Sequence, residues 1–169
     1  MKLESVRTRA QIEAVASLAR EVWSKHYIPI VGRGQVDYML DRFQSAPAIA
    51  RQIESEGYEY YLVPDSGYLA LVPDAAAGRM MISKIYVREE RRGAGLGRDM
   101  IGFAEARAAE LGCRELWLTV NKDNAGSIAF YERRGFRKTG PLVADIGGGY
   151  VMDDWRMAKT VEPAAAARG

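Results

Sequence analysis

"MMISKIYVREERRGAGLGRDM", residues 80–100, carries the decision about the fold. Met80 to Val87 is an apolar, β-rich run. Gly93, Gly95 and Gly97 follow among Arg91, Arg92 and Arg98. Leu96, Met100, Ile101, Ala104, Ala108 and Leu111 then recur at helical spacing, and Gly112 is placed to end that helix. The stretch therefore reads as strand, glycine-rich turn, helix. Such a junction attracts anions, because the first helical turn has N–H groups without intrahelical partners and the macrodipole adds partial positive charge. Glycine lets the backbone approach a ligand and take positive φ, so that successive amides form a concave nest. The arginines add charge-assisted contacts. Two common phosphate motifs do not fit. No Lys-Ser or Lys-Thr follows the glycines, as a P-loop needs, and the spacing is G-x-G-x-G, not the G-x-G-x-x-G of a dinucleotide site. Taken alone, the turn reads equally well as an empty surface loop.

The segments before it set the sheet. "KLESVR" (2–7) is a first strand. Thr8 with Gln11 three residues later is a capping-box pattern. It opens a helix with Ile12, Val15, Ala16, Ala19 and Val22 on one face, interrupted at Pro29 and "VGRG" (31–34). Shorter helices are predicted over "QVDYMLDRF" (35–43) and "PAIARQIESEG" (47–57). "YEYYLV" (58–63) and "YLALV" (68–72) read as strands about a Pro-Asp-Ser-Gly turn, and Met80–Val87 completes an antiparallel meander. After the turn and its helix, "ELWLTV" (115–120) is a strand, with Trp117 read as core. Asn124 caps a short helix to about Arg134, stopped by Gly135. "FRKTG" (136–140) and "YVMDDWRMAK" (150–159) finish as strands around "GGG" (147–149). The expectation is one α+β domain over 1–160 with a mixed sheet, followed by a flexible tail over 161–169.

Composition narrows the function classes. With 24 Lys+Arg against 22 Asp+Glu the formal charge is +2, so neither nucleic acid nor a membrane is expected as a partner. Cys113 is the sole cysteine, which excludes an internal disulfide and reads as a small residue closing a helix. No apolar run approaches a membrane span, and "MKLESVRTRA" lacks a signal-peptide core, so a cytoplasmic location is expected. No His/Cys cluster exists, and no metal is expected.

Arg92-x-x-Gly95-x-Gly97 at a strand-to-helix junction resembles the acyl-CoA-binding motif of the GNAT superfamily of N-acetyltransferases. "VNKDNAGSIAFYERRGF" (120–136) resembles that family's second signature: Asn124 and Tyr131 seven residues apart on a short helix, closed by Gly135 and Phe136. The order of segments from Tyr58 to Lys159 is similar to the family core. The resemblance implies a mostly antiparallel sheet flanked by helices, with a splayed parallel strand pair that forms the acyl-CoA cleft. It implies acetyl-CoA as acyl donor and a primary amine as acceptor; a homodimer is the family-level expectation, for which "IGGGY" (146–150) and the final strands are a candidate contact.

The resemblance also implies residue roles. Ile85 and Val87 would offer backbone groups to the pantetheine arm, and the amides of Arg92, Gly93, Ala94, Gly95, Leu96 and Gly97 would take the pyrophosphate. Two of Arg88, Arg91, Arg92 and Arg98 would touch phosphate. Asn124 would hydrogen-bond the pantetheine. The Val87 N–H would stabilise the oxyanion, and Tyr131 would protonate the leaving sulfur as general acid. Many members carry a glutamate as base on the strand before the turn, where this chain has Ser83 and Lys84 and no carboxylate. Glu59, Asp153 and Asp154 are candidates, with Asp153 and Asp154 equally readable as one solvent-facing and one structural residue. His26, the sole histidine, reads as packing or capping rather than as a base. Among the tyrosines ahead of the turn, some would line a pocket for a cation and most would pack.

The acceptor is expected to be a small molecule, since the ending "MDDWRMAK" (152–159) is similar to bacterial polyamine-type members; a peptide amine stays open. The alternatives are a non-catalytic acyl-CoA-binding regulatory module of the same fold, and a nucleotide-phosphate binder unrelated to the family. The latter leaves the Asn124–Tyr131 helix unexplained.

Overall fold

The computed structural model describes residues 2–162. The expected tail falls mostly on 163–169, outside the described residues. At its start, Val161 is buried and its N–H donates to Arg114 O at 2.8 Å.

Among the described residues seven strands and six helices follow one another: β1 (Glu4–Ser5), α1 (Arg9–His26), α2 (Ile28–Val31), α3 (Arg33–Phe43), α4 (Ala46–Ser55), β2 (Glu59–Val63), β3 (Gly67–Asp74), β4 (Arg79–Val87), α5 (Leu96–Glu110), β5 (Glu115–Asn121), α6 (Ala125–Arg133), β6 (Arg137–Gly147) and β7 (Tyr150–Thr160). Single 3-10 turns cover Ala75–Ala77 and Glu89–Arg91. The strand order is β1-β2-β3-β4-β5-β7-β6. The sheet is mostly antiparallel, and β4 pairs β5 in parallel, Arg79–Met81 against Glu115–Trp117. This is the mixed α+β sheet expected from the sequence. The described residues pack as two compact units, one of residues 2–70 and 84–97, the other of 71–83 and 98–162.

In the first unit, α1 starts as its capping box dictates. Thr8 Oγ1 accepts from the Gln11 N–H at 3.2 Å, and Gln11 Oε1 accepts from the Thr8 N–H at 3.0 Å. Its apolar stripe buries Val15, Leu18, Ala19, Val22 and Trp23. The interruption at Pro29 holds the single helical turn α2, which the sequence reading passed over. Ser45 caps α4 by accepting from the Ala48 N–H at 3.3 Å. Between β2 and β3, Asp65 takes a left-handed φ of 56° in the Pro-Asp-Ser-Gly turn. Gly67 to Leu71 are all buried, so β3 is covered on both faces.

In the second unit, α5 buries Met100, Ile101, Ala104 and Ala108, and Gly112, at φ 75°, ends it. Cys113 is buried behind that glycine, and burial pushes its thiol up. Leu116, Leu118 and Val120 form the buried face of β5. Trp117 departs from the expected core position. It is half-buried on the other face, with the Arg156 guanidinium 4.8 Å from its ring. β6 runs seven residues past the predicted strand end, through Pro141. Proline is tolerated there because β6 is the edge of the sheet, and register shifts at Lys138/Gly140 and Asp145/Gly147 absorb the irregularities.

Candidate active site

In the first unit, Ile85 and Val87 are half-buried on the last turn of β4's pleat, and Arg92, Gly93 and Ala94 are exposed beyond it. Gly93 and Gly95 take φ of 85° and 84°, in the left-handed region. A Cβ on Gly93 would meet nothing within 4 Å, so its glycine is required by conformation and not by crowding. Gly93 and Gly95 thus take left-handed φ on either side of Ala94, directly before the 15-residue helix α5. Leu96 and Gly97 are the first residues of α5.

The arginines divide by partner. Arg88 is committed to structure: its N–H donates to Ser66 O at 2.7 Å, and its guanidinium pairs with Glu21 of α1 at 2.8 Å. Arg92 Nε turns back to Val87 O at 3.2 Å, bracing the turn against the strand end. Arg98 lies beside Asp99 at 3.6 Å, largely exposed. A cleft of about 110 Å³ opens here, lined by Glu21, Lys25, His26, Arg88, Glu89 and Arg92. His26 ends α1, with its ring edge-on to Tyr27 at 4.7 Å.

Lys84 is a residue that sequence reasoning noted only as the absence of a carboxylate. It is 6% exposed. Its Nζ donates to Phe43 O at 2.5 Å, to Gln52 Oε1 at 3.1 Å and to the Tyr60 hydroxyl. Gln52 in turn donates to Phe43 O at 3.1 Å and accepts from the Tyr60 hydroxyl at 2.5 Å. The network joins α3, α4, β2 and β4, and it leaves the ammonium fully hydrogen-bonded next to Ile85. Burial nevertheless pushes the Lys84 amine down to about 7, with Glu56 opposing. Burial drives the Tyr60 and Tyr68 hydroxyls well up, so both stay protonated. Alternating apolar residues around position 84 gave the strand away but not this lysine's inward face, which only register fixes.

In the second unit, Asn124 is the N-cap of α6 and Tyr131 lies within the helix, seven residues on. Asn124 caps the helix, Oδ1 accepting from the Ser127 N–H at 3.3 Å. Its side chain is buried, and Nδ2 has no hydrogen-bond partner. A buried amide donor left unpaired costs on the order of 1–3 kcal/mol, so this atom is one that a ligand carbonyl would satisfy. Tyr131 is half-buried, edge-on to Phe136 at 5.8 Å and to Phe130 at 5.5 Å.

The three carboxylates considered as base differ sharply. Glu59 accepts from the Tyr61 hydroxyl at 2.8 Å on the first residue of β2. Asp153 is exposed and paired with Lys122 at 2.8 Å. Asp154 is buried, 3% exposed, and accepts a hydrogen bond from Thr119. Burial is the main cause pushing its carboxyl up to about 6; Asp153 adds to it, while Thr119 and Lys122 oppose.

No helix among the described residues is long and apolar enough to cross a membrane. Among the described residues, no group of three or more His, Cys, Asp or Glu is placed to hold a metal ion.

Comparison with known proteins adds an independent line. The model of the acetyltransferase (GNAT) family matches residues 20–136. A spermine/spermidine N(1)-acetyltransferase of Bacillus subtilis is 32% identical over 80 residues, 47% of this chain and 51% of that protein. A streptothricin acetyltransferase of Streptomyces lavendulae is 38% identical over 71 residues, 42% of this chain and 38% of that protein. The chain thus spans about half or less of these relatives' lengths. Among solved structures, the PaiA N-acetyltransferase of Thermoplasma acidophilum in complex with coenzyme A superposes with a TM-score of 0.70 over 95% of this chain and 99% of that one, at 19% identity. That likeness is one of fold.

Proposed function

The chain belongs to the acetyltransferase (GNAT) family, and from that premise we propose that it transfers the acetyl group of acetyl-CoA to a primary amine of a small molecule, by direct attack in a ternary complex. The observation that carries the reading is the paired left-handed conformation of Gly93 and Gly95 at the head of α5. It suits the pyrophosphate of an acyl-CoA, which needs several converging amides more than a single charged side chain. In this reading the amides of Arg92 to Gly97 hold the pyrophosphate, and backbone groups of Ile85 and Val87 hold the pantetheine arm. The unpaired Asn124 Nδ2 donates to a pantetheine carbonyl.

The chemistry asks little else of the protein. Attack by the amine places negative charge first on the thioester oxygen and then on sulfur. The Val87 N–H stabilises the first, and the Tyr131 hydroxyl gives its proton to the second. Orientation of two substrates supplies much of the rest. A small amine as acceptor is supported by the two relatives above, a spermine/spermidine N(1)-acetyltransferase and a streptothricin acetyltransferase.

Thermal shift with coenzyme A against ATP tests the donor. Stabilisation by coenzyme A alone is expected; equal stabilisation by ATP would return the turn to the class of plain phosphate binders. Turnover then separates the enzyme from a non-catalytic acyl-CoA-binding module.

A further inference from the structure

Asp154 is out of place as a structural residue. In the second unit, β5 and β7 pair with Asn121 opposite Asp154 and Thr119 opposite Arg156; β6 adds Leu142 opposite Asp154. Directly opposed antiparallel residues share a face, so Thr119, Asn121, Leu142, Asp154 and Arg156 crowd onto one surface of these strands. The neighbouring residues of β7 point the other way. There, Lys159 bonds Glu105 of α5 at 2.6 Å, and Asp153 pairs with Lys122. The cations near Asp154 are spent elsewhere: Arg156 is committed to Glu115 at 2.5 Å and to the Trp117 ring, and Lys122 to Asp153 and the Trp155 ring. Among the described residues, what remains on the carboxylate is the Thr119 hydroxyl. A buried carboxylate held by one hydroxyl and no ion-pair partner costs stability, and an apolar side chain would fill the same space without that cost.

A cation in the bound state resolves the conflict. Thr119 is half-buried, unlike the buried Asp154 to which its hydroxyl donates, so of the two it is the residue that keeps exposed surface. We propose that Thr119 and Asp154 form the proton-accepting pair of the transfer, the hydroxyl meeting the acceptor's ammonium group and the carboxylate taking its proton. This rests on the acetyl-transfer reading and supplies the base that β4 lacks. The ammonium gives a proton to Thr119 Oγ1 as Thr119 gives its own to Asp154, leaving a neutral amine and a protonated carboxyl. The amine lone pair then forms the N–C bond to the thioester carbon, and the C–S bond breaks with its electron pair on sulfur. Tyr131 protonates that sulfur and recovers the second proton lost by the nitrogen. Asp154 releases the first proton to solvent, so the turnover yields amide, free thiol and one proton.

Asp154→Asn keeps the acceptor oxygen for Thr119 and removes the proton-accepting function. The experiment compares wild type, Asp154→Asn, Thr119→Val and Thr119→Ser, measuring thiol release from acetyl-CoA across pH. The acceptor is the best from a panel of polyamines, amino acids, aminoglycosides and short peptides. The wild type is expected to show an acid limb in kcat/KM with a midpoint about 6. Asp154→Asn should lose that limb and drop kcat about 100-fold near neutrality, recovering toward about pH 10, where the free amine needs no base. Thr119→Val should fall likewise, and Thr119→Ser should stay near wild type. Wild-type kcat and an intact acid limb in Asp154→Asn would overturn the pair while leaving acetyl transfer standing. Absence of thiol release by the wild type itself would overturn the acetyl-transfer reading, and this role with it. A readout independent of turnover accompanies these: Asp154→Asn should melt above wild type at pH 7.5 and level with it near pH 4. A melting difference that does not change with pH would also count against a buried, titrating carboxylate.

Discussion

Single residues carry the chemistry in this account, and each can be challenged separately. Gly95 sits at φ 84°, so Gly95→Glu both strains the backbone and places an anion in the nest. Coenzyme A affinity is expected to fall at least ~100-fold, roughly 2.7 kcal/mol, by calorimetry. An unchanged affinity would detach the turn from the pyrophosphate. Tyr131→Phe removes one oxygen from a ring that keeps its aromatic neighbours. Its kcat should fall about 100-fold with coenzyme A affinity within about twofold of wild type. A matching loss of affinity would make Tyr131 a binding residue instead. The local conformation at both positions was legible in the sequence because the motifs are local: glycine marks the positive φ of the turn, and spacing along the chain suffices to place Tyr131 in the helix that Asn124 caps. Asp154 was legible only as one of three carboxylates. Its burial follows from β5–β7 register, and register is a property of strand pairing that one strand's sequence does not state. The Asp154 side chain also shows the sign of its cost. The native state binds a proton more tightly than the unfolded chain, so the cost is absent at low pH and sets in between the ordinary aspartate value and about 6.

At the scale of elements, capping and punctuation predicted well. The Thr8 box, the Asn124 cap and the stops at Gly112 and Gly135 all stand where their chemistry places them. Prediction failed where tertiary position decides. The extension of β6 through Pro141 depends on its being an edge strand, and the half-exposed Trp117 depends on Arg156 arriving from β7. The Lys84 network is the element-scale device with the most testable consequence, since it ties β4 to the end of α3 and to α4 just before Ile85. The native state holds the Lys84 amine down to about 7, whereas the unfolded chain keeps the ordinary lysine value. The unfolded state therefore binds more protons between those values, and stability gains from this group as pH rises from about 7 toward ~10. Thermal melts should show this gain in wild type and not in Lys84→Met, which should also melt lower throughout because Phe43 O and Gln52 Oε1 lose a donor. Parallel pH profiles for the two proteins would contradict the assignment.

At the scale of the whole molecule, the family was legible from two short motifs held in order by strands and helices of the expected kinds. The family match over residues 20–136 and the CoA-complex neighbour's fold agree with that order. The acceptor was not legible, because it is chosen by side chains that several elements bring together and no single motif encodes. The most direct test of the account is therefore thiol release from acetyl-CoA by the wild-type protein, run against polyamines, amino acids, aminoglycosides and short peptides. The account predicts release with a small primary amine, with the acetamide recovered as product. Coenzyme A binding with no release across the panel would contradict it and leave an acyl-CoA-binding module in its place.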